Sequence, residues 1–177
     1  MALPIVVAAF SPYLVFRDAT YITAGFAGII CLSLFVIQPL LSTRLLFVNP
    51  ILARRLHRIV GIVVLMLVVI HVVGLYFTSP PDVIDALLLR APTLFSVFGV
   101  IALWGIFVTA LIAFARRRLP STVWRIAHQV LSTLVVLATV IHAVQIDGAM
   151  ELITKWGISI IALATTVVSL VWLNRRP

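Results

Sequence analysis

Charge is scarce in this chain, and acid is scarcer still. Only 10% of the 177 residues are charged, and only 5 of them are acidic; an ordinary soluble domain carries about 25% charged residues. Hydrophobic residues make up 63%, which excludes a soluble globular domain and points to a bilayer. Cysteine is limited to Cys31, inside an apolar run, so a disulfide-stapled scaffold is excluded. A glycine-rich dinucleotide fingerprint between strand and helix is missing, so no flavin or nicotinamide domain is expected within residues 1–177. The opening stretch MALPIVVAAFSPYLVF lacks the basic segment of a secretory signal, and Pro4 and Pro12 interrupt it. It reads as a short or tilted first helix. The net charge of +8 does not imply nucleic acid, because the arginines cluster at the ends of apolar runs. Topology and anionic lipid explain them there.

What the chain has in quantity is long apolar sequence. Five runs, 21–41, 56–77, 93–115, 123–146 and 152–173, are each long enough to cross a bilayer. Asn49-Pro50, Pro80-Pro81, Pro92, Pro120 and Asp147-Gly148 punctuate the connections. The expected fold is all-α: a polytopic transmembrane helix bundle forming one domain over 1–177. Arg44, Arg54, Arg55 and Arg58 fall in one connection and its flank. Arg116, Arg117, Arg118 and Arg125 fall two connections later, and Arg175 and Arg176 close the chain. All are on one side. The acids Asp18, Asp82, Asp85, Asp147 and Glu151 lie on the other, with only Arg17, Arg90 and Lys155 among them. The positive-inside rule puts the arginine side, including the C-terminus, in the cytoplasm, as in a bacterial inner membrane.

The histidines carry the chemistry. There are four, His57, His71, His128 and His142, in two pairs with the same fourteen-residue spacing. On an α-helix fourteen residues advance about 21 Å and return to within about 40° of the same face. The two bearing spans are separated by one span and therefore run parallel. His57 and His128 then share a level near the arginine side, and His71 and His142 share one near the acidic side. Intramembrane polar groups are costly and usually functional. Zinc or copper would draw three or four ligands together, with thiolate or carboxylate among them. Two imidazoles per level in an apolar cage suit a macrocycle that brings its own four nitrogens, with histidine as the axial ligand. Two haems stacked across the membrane are therefore expected. The bland alternative, histidines serving only helix–helix hydrogen bonds, makes the chain a haem-free membrane assembly protein. An ion transporter would want an intramembrane carboxylate, and none accompanies the histidines.

Neighbouring residues allow two roles each. Gly61 and Gly74 follow His57 and His71 by four and three residues, and either admit a flat ring to the backbone or pack helices. Arg58 and Arg125, with Arg54 and Arg55 behind them, either pair with haem propionates or signal topology. Gln145 and Tyr76 are outer candidates for a propionate. Trp104, midway along the intervening span, faces lipid or lies between the two haems.

The segments Arg54-Arg55-Leu56-His57-Arg58 and Trp124-Arg125-Ile126-Ala127-His128, with partners His71 and His142, resemble the ferric reductase-like transmembrane domain. That family includes ferric reductases, the membrane half of NADPH oxidases and the haem subunit of the periplasmic methionine-sulfoxide reductase system. The resemblance runs over roughly 21–173. It implies six helices, with the short N-terminal segment as the first, and two b-type haems on the four histidines. It also implies a separate donor, a cytoplasmic flavin reductase or a membrane quinol. The acceptor on the outer side would be a periplasmic redox protein or ferric iron itself, the latter making the chain a ferric-chelate reductase component.

Overall fold

The computed structural model describes residues 2–43, 45–46 and 48–175. Arg44 and Arg176, two of the arginines counted toward sidedness, lie outside the described residues. Among those described, every element is helical: α1 Ala2–Ala9, α2 Ala19–Ile37, α3 Pro50–Thr78, α4 Pro80–Leu87, α5 Leu94–Phe114, α6 Ser121–Gln145 and α7 Leu152–Asn174. Five of these, α2, α3, α5, α6 and α7, are long and apolar enough to cross a membrane. The protein is an integral membrane protein with a helical-bundle fold, as its composition requires.

Local sequence sets the helix starts. The Asp18 carboxylate accepts from Tyr21 N–H at 2.9 Å and caps α2. The Asn49 side chain accepts from Ile51 N–H at 2.8 Å, with Pro50 at the first helical position of α3. α1 is too short to span, at about 12 Å for eight residues, and it packs against α2 and α7. α4 lies in the connection between the apolar runs 56–77 and 93–115. The Pro80-Pro81 pair that looked like a break opens a helix instead, because proline fits the first turn, where its missing N–H is not needed.

Two hairpins dominate the packing, α2 against α3 and α5 against α6, and α7 closes the bundle against α2 and α6. Their shared core is built from Cys31, Leu32 and Phe35 of α2, Val64 of α3, Ile106 of α5, Val135, Val136 and Val140 of α6, and Ile158 and Ala162 of α7. Large apolar side chains on the outside, such as Ile62 and Met66 at 56% and 61% exposure, present a surface that only lipid can cover. At one end, Ser169 of α7 donates to the Pro39 carbonyl after α2 at 2.9 Å. That contact gathers the C-terminal ends of α2 and α7 beside the start of α3. Arg54, Arg55 and Arg58 crowd the same end, hereafter the arginine end.

Candidate functional site

Parallel α3 and α6 place the four imidazoles in two facing pairs. His57 and His128 have ring centroids 6.2 Å apart, with ring planes at 64°. His71 and His142 are 6.4 Å apart, with planes at 83°. Three of the four rings are held from behind by a backbone carbonyl. His71 Nδ1 lies 2.8 Å from the Ala24 oxygen, His142 Nδ1 2.8 Å from the Phe95 oxygen, and His57 Nδ1 3.0 Å from the Gln38 oxygen. A carbonyl oxygen only accepts, so Nδ1 carries the proton in each ring and Nε2 keeps its lone pair. This is the arrangement by which proteins present imidazole to a metal.

The anchors come with a set of glycines. A Cβ on Gly28 would lie 3.0 Å from His71 Nδ1, and one on Gly99 would lie 2.8 Å from His142 Nδ1. Those two positions are bare so that the ring can reach its carbonyl. Neither was visible as a candidate in the sequence, yet a signal was there. His57 and His128, His71 and His142, Ala24 and Phe95, and Gly28 and Gly99 are each separated by 71 residues. The hairpin α2–α3 is repeated as α5–α6, and the repeat carries each histidine and, at the outer level, its support as well.

Gly61 and Gly74 are both seen in the packing role, against α2 and the residue that ends it. A Cβ on Gly74 would meet the Ala24 Cβ at 2.8 Å, and one on Gly61 would meet the Gln38 Nε2 at 3.2 Å. Both lie against α2 or its C-terminal end, and they admit the two residues whose carbonyls anchor His71 and His57. Gln38 binds its histidine twice, since its Nε2 also donates to the His57 carbonyl at 3.0 Å.

His128 is different. Its buried Nδ1 has no hydrogen-bond partner among the described residues. Instead the Trp124 indole stacks on it, with centroids 5.6 Å apart and planes at 19°. The Arg116 guanidinium lies over the Trp124 ring at 4.9 Å. Arg116, Leu119, Ser121, Thr122, Trp124 and Arg125 line a cavity of about 260 Å³ at this end. Arg125 thereby shares a cavity with the stacking tryptophan, and it is exposed, as are Arg54, Arg55 and Arg58 on α3.

The outer candidates disperse. Gln145 Nε2 donates to the Ile141 carbonyl of its own helix at 2.8 Å, and Tyr76 packs edge-on to Phe77. Trp104 is 58% exposed and tilted against Phe107. It faces outward, so a place between the two pairs is corrected; the inward face of α5 is Val100, Ala102 and Ile106.

The residues fit a haem at each level. Two imidazoles bound to one metal at about 2.0–2.1 Å have ring centres about 6 Å apart, which both pairs match. No cluster of three or more His, Cys, Asp or Glu forms among the described residues, so each level offers two imidazoles only. A membrane helical bundle with two facing imidazole pairs defines the class of protein. Its family follows from sequence: residues 24–139 match the family model of the ferric reductase like transmembrane component, and the chain belongs to that family. Such domains generally bind haem. The match runs from the Ala24 anchor to three residues short of His142. No curated protein and no solved structure gives a significant match.

Proposed function

We propose that the chain is the di-haem membrane subunit of a transmembrane electron-transfer system, a single domain that depends on a partner for its electrons. One observation carries this reading: two level-matched imidazole pairs, 6.2 and 6.4 Å apart, at opposite ends of the same two helices. His57 and His128 would hold a b-type haem at the arginine end, and His71 and His142 a second one about 21 Å further along the helix axis. Bound haem iron supplies a one-electron couple. The chain's own contribution would be to hold two imidazoles for each group at fixed depth and to keep water out with an apolar core. With two imidazoles offered to each group, outer-sphere transfer is favoured over oxygen chemistry.

By the positive-inside rule the arginine end faces the cytoplasm. A flavin reductase or a membrane quinol would deliver electrons there, near the cavity beside Trp124 and Arg125. The acceptor on the opposite, periplasmic side would be a redox protein or ferric iron, and the setting a bacterial inner membrane. Outward flow is assisted by an inside-negative potential, which contributes about 2.3 kcal/mol per electron for each 100 mV. Arg58 and Arg125 are the cations proposed for the propionates of the inner haem.

The test is the absorption spectrum of the detergent-purified protein, oxidised and dithionite-reduced, with haem counted per chain. Low-spin b-type bands at about two haems per chain are expected. A colourless protein expressed with abundant haem would overturn the reading in favour of a haem-free assembly role.

A further inference from the structure

Lys155 is the one lysine of the chain, and it is out of place for a lysine. It lies in the first turn of α7, inside the bundle, at 4% exposure. Its Nζ donates to the Ile146 carbonyl at 2.8 Å, just past the end of α6. No carboxylate pairs with it among the described residues. Ile158 and Ser159, about one turn further along α7, are buried as well.

A lysine that merely tidies the last carbonyls of a helix does so from the surface, with its ammonium in water. A buried, unpaired charge is costly, and a neutral amide could hold the same carbonyl without that cost. The position of the charge says what it serves. Ile146 follows His142 by one helical turn, so Lys155 places a cation behind the helix end that carries an outer imidazole. When one electron arrives at the His71/His142 site, no bond forms or breaks and no proton is required there. The site simply gains a unit of negative charge, which a nearby cation in a low-dielectric interior stabilises.

We propose that Lys155 is a charge-setting residue of the outer site, raising its affinity for an electron and so drawing electrons outward across the bundle. This rests on the di-haem reading. It is tested by redox titration in a His57→Leu/His128→Leu background, where only the outer site remains, with haem counted in the same sample. Lys155→Gln keeps an N–H donor for Ile146 but removes the charge; Lys155→Arg keeps the charge. With Gln, the reduced-to-oxidised ratio at fixed ambient potential is expected to fall about ten-fold, equivalent to about 59 mV for one electron. With Arg it stays within about two-fold of the parent. An unchanged ratio in the Gln variant, with haem still bound, overturns the proposal and leaves the di-haem reading standing. An equal fall in Gln and Arg variants overturns it too, since the loss would then be structural. Absence of haem from the parent removes the reading beneath it.

Discussion

The two imidazole pairs are built from the same repeated hairpin, yet they are not equally held. At the outer level both rings bond a carbonyl at 2.8 Å, Ala24 for His71 and Phe95 for His142, and each has a glycine beside it. At the arginine end the repeat is broken. Gln38 sits at the end of α2 and holds His57, but its counterpart 71 residues on is Thr109, inside α5. The Thr109 hydroxyl donates back to the Gly105 carbonyl at 2.7 Å, and His128 is left to the face of Trp124. The lesson is that at the outer end both rings are fixed by backbone, whereas at the arginine end only His57 is and His128 rests on a side-chain stack. A rigid outer pair and a more adjustable pair at the arginine end accord with the proposed entry of electrons at that end.

That comparison can be broken most severely at the glycines. Gly99→Val should drive the His142 ring off the Phe95 carbonyl and empty the outer site, with haem falling to about one per chain. Gly28→Val should do the same through His71. As a control, Gly25→Ala, whose added Cβ meets nothing within 4 Å, should leave both sites filled. Loss from the inner site in either valine variant would contradict the pairing.

Next in size is the stack. Trp124→Leu removes an aromatic contact of about 0.5–1.5 kcal/mol. Haem should therefore leave the inner site about two- to ten-fold more readily, with the outer site unaffected. Trp124→Phe should keep most of the retention. The measurement is haem transfer to an excess of apo-globin, followed site by site in the corresponding histidine-deleted backgrounds. If the leucine variant loosens the outer site equally, the stack has no local role.

The smallest effect belongs to Gln38. In Gln38→Ala the carbonyl that anchors His57 remains and only the Nε2 bond to the His57 carbonyl is lost, about 1 kcal/mol. Inner-site retention should drop by less than in Trp124→Leu. A larger drop would mean that the side chain, not the backbone carbonyl, orients the ring.

How much of this was legible in the sequence follows from what leaves a mark there. Apolar length and the fourteen-residue spacing are direct consequences of bilayer thickness and helix pitch, so the spans and the facing of the histidines by level could be read from the sequence. The anchors could not, because Ala24 and Phe95 act through carbonyl oxygens that every residue possesses. Gly28 and Gly99 were hidden for a related reason: they lie on different helices from their histidines, and only the 71-residue offset links them. Gly61 and Gly74 were noticed because they neighbour a histidine in sequence, and that neighbourhood did not say which side of the helix they face. Trp104 was overrated by its central position, which says nothing about direction around α5. Lys155 stood in the sequence as one of three cations on an acidic side; its burial is a property of how α7 docks on α6.

The most direct test of the central claim is a comparison of two double variants. His57→Leu/His128→Leu removes one level, and His57→Leu/His71→Leu strips one helix. Pairing by level predicts about one haem per chain in the first and none in the second. The opposite pattern, with the one-helix variant keeping a haem that the one-level variant loses, would contradict the account.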